Sequence, residues 1–264
     1  MNEILMFHRL MPTHQIKKDD PYALRGTLIS TNRFEDVISK YLDNGFSFVT
    51  ISELVSGSFR NCVALTFDDG YLDNFLYALP TLEKYRLKAT FYPIIGYCLS
   101  QKLAPLDYYY DYIKNNIAPI NKAEWVMGKF KQEFLKLSIK DQYKFTLSLK
   151  IERQPDVKYM TSTQLIALGS KGHEVGAHSL YHNIYTNLSE DDVATDIANT
   201  LKSFQSIGLN PKSFAYPDGQ YNEQVIKQIE KGGFKSACTI KSENITKDSH
   251  FELERKFVTE DEII

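Results

Sequence analysis

Cysteine is scarce: only Cys62, Cys98 and Cys238 occur in 264 residues. An odd count in mostly apolar or strand-like stretches makes no disulfide framework and fits a reducing compartment. An excess of one charge is also missing, since 31 Lys+Arg face 33 Asp+Glu. The formal net charge of -2 leaves no basic surplus for nucleic acid. No apolar run approaches the roughly 20 residues that span a bilayer. The opening Met1-Asn2-Glu3-Ile4-Leu5-Met6-Phe7 has no basic n-region and breaks off at His8-Arg9, unlike a signal peptide. These absences predict a cytoplasmic protein, at most peripheral to the inner membrane face, with no nucleic-acid partner and no integral membrane segment. Internal repeats and low-complexity tracts are missing too. The 43% of hydrophobic residues suffices for one substantial core, either one barrel-sized domain or two small ones.

Short apolar runs alternate with helical patterns. Strand-like runs fall at 4–7, 46–50, 63–67, 89–95, 174–177, 213–216 and 236–239, with helical patterns at 34–43, 71–85, 161–168, 189–205 and 221–231. Thr161 and Gln164 have capping-box spacing, and Ser189 followed by Glu190, Asp191 and Asp192 suits a helix N-terminus. Strand and helix alternating at this rate predict an α/β fold with a parallel sheet, and seven strand candidates favour a barrel. The alternation lapses at about 97–160. There Val126 or Met127, Phe130, Phe134 and Leu137 keep helical spacing, and Tyr108 to Tyr112 form an aromatic knot. A helical insertion burying its own apolar stripe is expected. Residues 101–158 hold eleven Lys+Arg and seven Asp+Glu, so this stretch is net +4 and the remainder -6. Such polarity suits an anionic substrate, though solvated lysines on a helical face would look the same.

Reactive residues gather where strand-like runs end. Asp68 and Asp69 close the run 63–67 and are followed at once by Gly70, while His178 and His182 follow the run 174–177. Adjacent residues of a strand point to opposite faces, so one aspartate can bind an ion while the other handles a proton. On a helical turn, His178 and His182 would share a face. Ser179 stands where the zincin signature has Glu. Two imidazoles and one carboxylate leave coordination positions open, which suits a catalytic metal and predicts a metal-dependent hydrolase. In parallel barrels the active site lies at the C-terminal ends of the strands, where His8 and Tyr216-Pro217-Asp218-Gly219 also fall. His173 opens the strand that His178 closes. Five residues put it roughly 17 Å away, so it reads as structural. His14 and His250 read as surface residues.

Thr66-Phe67-Asp68-Asp69-Gly70, Gly172-His173-Glu174-Val175-Gly176-Ala177-His178-Ser179-Leu180-Tyr181-His182 and Phe214-Ala215-Tyr216-Pro217-Asp218-Gly219 resemble, in order, the first three motifs of the polysaccharide deacetylases, carbohydrate esterase family 4. The resemblance implies a distorted seven-stranded (β/α) barrel, here one domain over 1–264 carrying the insertion. It implies Asp68 as general base, Asp69, His178 and His182 as metal ligands, and a backbone N–H near Asp218 at the oxyanion, within the segment Tyr216 to Gly219. Two features depart from the pattern. Ala215 stands where the third motif carries the Arg that orients the base, and the late Leu-x-His that supplies the acid is absent. Leu5-Met6-Phe7-His8-Arg9 is similar to the early Tyr-His segment of the circularly permuted members, with Phe7 in place of Tyr. The resemblance thus implies His8 as the acid. Arg255, in Leu253-Glu254-Arg255, is nominated for the missing Arg, with Arg9 the competing candidate.

The expected reaction is removal of an N-acetyl group from an amino sugar in a glycan, glycolipid or nucleotide-sugar. One divalent ion is expected, zinc first, with iron, cobalt or nickel also suited to imidazole and carboxylate ligands. A cytoplasmic setting favours phosphate-linked substrates. Rival readings on the same scaffold are an O-deacetylase, a deformylase or a non-sugar amidase. A catalytically dead sugar-binding protein is the rival from another class. Loss of Arg at position 215 favours that last reading, and retention of both aspartates and both histidines opposes it.

Overall fold

Ten strands are formed in the computed structural model, which describes residues 2–57, 59–149, 151, 154–240 and 249–261. They are β1 (Glu3–Phe7), β2 (Arg9–Met11), β3 (Leu28–Ser30), β4 (Ser47–Phe48), β5 (Cys62–Asp69), β6 (Thr90–Pro93), β7 (Glu174–Val175), β8 (Ser213–Ala215), β9 (Ser236–Ile240) and β10 (Leu253–Phe257). Seven of them make one curled sheet in the order β7-β6-β5-β1-β10-β9-β8, and every pairing along it is parallel. The two ends of that order meet just beyond β7, where Ala177 bridges Phe214. There the Ala177 N–H donates to Ser213 O at 3.0 Å and Ala177 O accepts from the Ala215 N–H at 2.8 Å. The fold is α/β with a parallel, curled seven-stranded sheet.

The expected count of seven holds with one exchange of members. The run 46–50 contributes only β4, which pairs with Cys62 and Val63 at the start of β5 and lies off the main path. The barrel strand in its place is β10, whose Glu254, Arg255 and Lys256 hid it from a reading by apolar runs. β2 and β3, also unexpected, make a separate two-stranded sheet.

The strand sequences are apolar on both faces because both faces are covered. Ile4, Cys62, Ala64, Tyr92, Ala215 and Cys238 form one buried cluster inside the curl. Leu5, Phe7, Val63, Leu65, Phe67 and Phe91 belong to the larger cluster under the helices. Side-chain caps start the expected helices. Ser30 accepts from Arg33 N ahead of Thr31–Asp43, Thr161 and Gln164 form the capping box of Ser162–Ser170, and Ser189 accepts from Asp192 N ahead of Glu190–Ser206. The helix expected at 71–85 begins instead with a π turn, Asn74–Ala78, and becomes α-helical over Leu79–Tyr85.

The insertion folds as helices Ile95–Ser100, Pro105–Asn116, Pro119–Met127, Lys129–Lys136 and Ile139–Ser148. Lys150, Glu152 and Arg153, counted in its charge, lie outside the described residues. Its apolar stripe is not continuous, because Gly128 ends one helix and starts the next. Val126 and Phe134 are buried, whereas Met127, Phe130 and Leu137 are 52%, 54% and 39% exposed. The aromatic knot is half core, with Tyr109 and Tyr110 buried. What ties this segment to the barrel is polar. The buried Asp107 carboxylate accepts from the hydroxyls of Tyr22 at 2.6 Å, Tyr71 at 3.0 Å and Tyr159 at 2.6 Å, and from the Ala104 N–H at 3.0 Å. Four donors satisfy it, as a buried carboxylate requires.

Candidate active site

Strand parity sets the site. Along β5, Cys62 and Ala64 face the inner cluster, and two and four residues past Ala64 come Thr66 and Asp68 on the same face. On β10, Arg255 shares the inward parity of Leu253, which packs on that cluster. β1 lies between β5 and β10, and Arg255 reaches across it. Its Nη1 and Nη2 donate to Asp68 Oδ1 and Oδ2 at 2.6 and 2.7 Å. Nη1 also donates to Thr66 Oγ1 at 3.3 Å and Nε to Thr239 O at 3.3 Å. The fork-to-carboxylate geometry fixes both planes. Burial alone would raise the Asp68 pKa, but the Arg255 charge and hydrogen bonds, aided by His178 and His8, hold it at about 2. Asp68 is therefore ionised and oriented.

Asp69 lives in the opposite environment. Its φ of 69° places it in the left-handed region, turning it off the strand toward the histidine loop. Gly70, at φ 81°, completes the turn, and a Cβ there would sit 2.7 Å from Pro93 Cβ. Asp69 Oδ1 lies 3.6 Å from His178 Nε2 and 3.8 Å from His182 Nε2. Burial and the neighbouring Asp68 charge raise the Asp69 pKa well above the carboxylate range. Burial lowers the pKa of His178, and burial with the nearby His178 lowers that of His182 to about 4. These contacts are therefore not ion pairs between a carboxylate and imidazolium groups. They are three ligand atoms within 4.8 Å of one another, each relieved by a cation. His178 Nδ1 sits 2.7 Å from Ala215 O, a contact that fixes the tautomer with Nε2 free to coordinate. The donor set fits a divalent metal.

The histidine loop is not a helical turn. Ser179 at φ 57° and His182 at φ 63° are both left-handed, and these two reversals bring the imidazoles to 4.9 Å between centroids. The loop is held by Asp196, which accepts from Leu180 N at 3.1 Å, Asn183 Nδ2 at 2.7 Å, Tyr185 OH at 2.7 Å and Thr200 Oγ1 at 3.4 Å.

His8 continues the inward parity of Ile4 and Met6 and enters the same cleft of about 200 Å³ as Asp68, Asp69, His178 and His182. Its Nδ1 is buried without a hydrogen-bond partner among the described residues, and its ring meets Phe257 edge-on at 5.5 Å. Burial, partly offset by Asp68, lowers its pKa to about 4. The π turn anchors it, since Asn74 Nδ2 donates to His8 O at 2.6 Å.

Arg9, the rival for orienting the base, is engaged elsewhere. Side chains alternate along the chain here, so Arg9 leaves on the opposite face from His8. Its Nε pairs with Asp73 at 2.8 Å, and its guanidinium lies over the Tyr22 ring at 4.4 Å. Tyr216, Asp218 and Gly219 line the cleft, but Pro217 is not among its lining residues. Asp218 adopts φ 56°, and Tyr216 OH donates to Phe251 O at 3.0 Å. His173 is buried and its Nδ1 accepts from Ala89 N at 3.2 Å, whereas His14 and His250 are exposed.

Several lining residues were not singled out one by one in the sequence: Arg25, from helix Pro21–Arg25, and, from the insertion, Tyr110 of the aromatic knot and Lys131 of the basic surplus. A second, more apolar arm of about 290 Å³ shares Asp69, Tyr71, Leu106 and His182 with the first and runs on to Tyr97, Leu135, Ile139 and Tyr181. The triad thus lies where the two arms meet.

The polysaccharide deacetylase family pattern matches residues 58–237. Among curated proteins, the chain is 24% identical over 233 residues to the poly-beta-1,6-N-acetyl-D-glucosamine N-deacetylase of Staphylococcus aureus, covering 84% of this chain and 64% of that protein. It is 28% identical over 105 residues to the peptidoglycan-N-acetylglucosamine deacetylase of Bacillus cereus, covering 38% of this chain and 46% of that one. The chain thus spans less than two thirds of the length of either relative. Among solved structures, IcaB from Ammonifex degensii superposes with a TM-score of 0.65 at 19% identity, covering 98% of this chain and 91% of that one.

Proposed function

Because the chain belongs to the polysaccharide deacetylase family, we propose that it hydrolyses the N-acetyl group of an amino sugar with the aid of one divalent ion. One observation carries this reading. A carboxylate clamped by an arginine and a His-His-Asp triad of cation-seeking donors occupy adjacent positions of one cleft. Asp69, His178 and His182 hold the ion, zinc in the first instance, with iron, cobalt or nickel compatible with the same donors. When bound, the ion supplies Lewis acidity that polarises the acetyl carbonyl and makes water a better nucleophile.

The chain's own residues do the rest. Asp68 takes the proton of the attacking water, using lone pairs that the two Arg255 hydrogen bonds leave free. Arg255 replaces the guanidinium that the third motif lacks at Ala215, and so opposes the reading of a dead sugar-binding protein. The backbone at Asp218 faces the growing oxyanion. His8 gives a proton to the leaving amine, and this acid placed ahead of the aspartates is the arrangement of a circularly permuted member. With no substrate bound His8 is neutral, its pKa lowered to about 4. Negative charge growing on the substrate beside it raises its affinity for a proton. It takes that proton from solvent and passes it to the amine as the C–N bond breaks, while Asp68 returns the water's proton to solvent.

Acetate release from N-acetyl sugars, before and after chelation and zinc readdition, tests the proposal. Release that chelation abolishes and zinc restores is expected. Release from O-acetyl but not N-acetyl sugars would reassign the enzyme to ester hydrolysis, and no release from either would defeat the reading. His8→Ala should slow amide substrates more than activated esters, whose leaving groups need no proton. Equal losses on both would remove the acid role.

A further inference from the structure

Four Lys or Arg side chains are buried among the described residues: Arg9, Lys122, Lys131 and Arg255. Three hold a carboxylate: Arg9 on Asp73 at 2.8 Å, Lys122 on Asp19 at 2.8 Å and Arg255 on Asp68 at 2.6 Å. Lys131 is only 8% exposed, yet it has no carboxylate partner among the described residues. Its ammonium lies 5.5 Å from the centre of the Tyr110 ring. The Tyr110 hydroxyl is itself buried without a hydrogen-bond partner among the described residues. Arg25, half-buried at the end of its short helix, likewise makes no ion pair among the described residues. All three line the arm of the cleft that holds His8, Asp68 and Asp218.

A solvated lysine on a helical face would be exposed, and a structural one would hold an acid as the other three buried cations do. Lys131 does neither. Burial and the Arg25 charge lower its pKa to about 8, with Asp218 and Asp69 giving only partial relief. An ammonium, a guanidinium fork and a phenol, all donors converging on one space, form a donor set for an oxyanion.

We propose that Lys131, Arg25 and Tyr110 form a subsite for an oxyanion, a phosphoryl group or a carboxylate, carried by the N-acetylated sugar itself. The proposal rests on the deacetylase reading and deepens it to a substrate class. A cleft of about 200 Å³ shared with the catalytic groups holds roughly one sugar, so the anion belongs to the reacting residue or is bonded directly to it. The same charges disfavour a polymer already rich in free amines, because each deacetylation leaves an ammonium.

Binding of four compounds to the metal-free protein tests this independently of turnover: N-acetylglucosamine, its 1-phosphate, its 6-phosphate and N-acetylmuramic acid, by calorimetry at moderate salt. At least one anionic sugar should bind about tenfold or more tightly than the neutral one. That advantage should fall severalfold in Lys131→Met and Arg25→Gln and largely persist in Lys131→Arg, which keeps the charge and guards against misfolding. A preference for the phosphates names a phosphoryl group, and one for the muramic acid names a carboxylate. Equal binding of all four, or an advantage untouched by both charge-removing variants, would overturn the subsite. Absence of acetate release alongside a retained anion preference would instead defeat the deacetylase reading and leave the subsite standing.

Discussion

The two walls of the cleft are built on different principles. One wall, Asp68, Arg255 and His8, stands on strands β5 and β10 and at the end of β1, and its key contact is a closed bidentate pair at 2.6 and 2.7 Å. The other, Asp69, His178 and His182, stands where the backbone reverses, at the last residue of β5 and in the loop after β7, with left-handed backbone at Asp69, Ser179 and His182. Neighbours in sequence, the two aspartates have opposite electrostatic fates. Asp68 is held down to about 2 by Arg255, while Asp69 is raised by burial and by Asp68. A protein that already supplies the cation for one carboxylate fixes that group's charge and direction. A protein that withholds it from the other creates demand for an ion from outside. Strands give the first group rigidity, and turns give the second the convergence of three side chains that a metal requires.

The sharpest way to break this contrast is to exchange the two carboxylates' losses. Asp68→Asn is expected to keep its metal and lose roughly 10²- to 10⁴-fold in kcat, the usual cost of removing a general base. Asp69→Ala is expected to lose both metal and turnover. Elemental analysis beside acetate release separates them. A metal-free Asp68→Asn, or a fully loaded Asp69→Ala, would show that the roles are reversed.

Arg255 tests the strand wall alone. Arg255→Met leaves Asp68 buried and unpaired, which costs on the order of 3–5 kcal/mol of stability. It also removes the charge that opposes the desolvation of Asp68. The Asp68 pKa then rises, and the base is ionised only at higher pH. The acidic limb of the kcat/KM profile should move upward, with Arg255→Lys intermediate because an ammonium lacks the planar fork. Urea unfolding and a pH–rate series measure the two effects. An acidic limb that stays in place would mean that Arg255 serves folding only.

How much of this was legible follows the same division. The strand-end aspartates could be read because an apolar run stopping at Asp68-Asp69-Gly70 is local information, and so could the helix caps at Thr161 and Ser189. Arg255 could be nominated but not chosen over Arg9, since its partner lies 187 residues away in sequence. Its strand escaped notice because Glu254, Arg255 and Lys256 leave no apolar run to find. Only pairing with β1 and β9 makes that segment a strand. Asp107 and Asp196 were invisible, and Lys131 was legible only as one charge in the insertion's basic surplus, for a related reason. An acid or lysine on a helix reads as a solvated face until tertiary packing buries it. The histidine pair was found, but its geometry was misassigned, because His-x-x-x-His spacing is equally served by a helix and by a doubly reversed turn.

The loop wall has its own support in Asp196, and removing it should give the smallest of these effects. Asp196 gathers two donors from the loop that carries His178 and His182, the Leu180 N–H and Asn183 Nδ2, and adds the hydroxyls of Tyr185 and Thr200. It touches neither imidazole, so its influence on the ion passes through the position of the loop. Asp196→Asn keeps the size but turns one acceptor into a donor, leaving donors without a partner on one side. Outer-shell changes of this kind cost about 10- to 100-fold in metal affinity, and the low end is expected because no direct bond to an imidazole is lost. At saturating zinc, turnover should fall less than affinity does, since the ion once bound draws the two histidines back together. Zinc titration of the metal-free variant, followed by acetate release with zinc in excess, tests both halves. Wild-type zinc affinity in Asp196→Asn would show that the left-handed residues of the loop hold the histidines without help. An equal fall in affinity and in zinc-saturated turnover would show that Asp196 shapes the reacting geometry as well as the metal site.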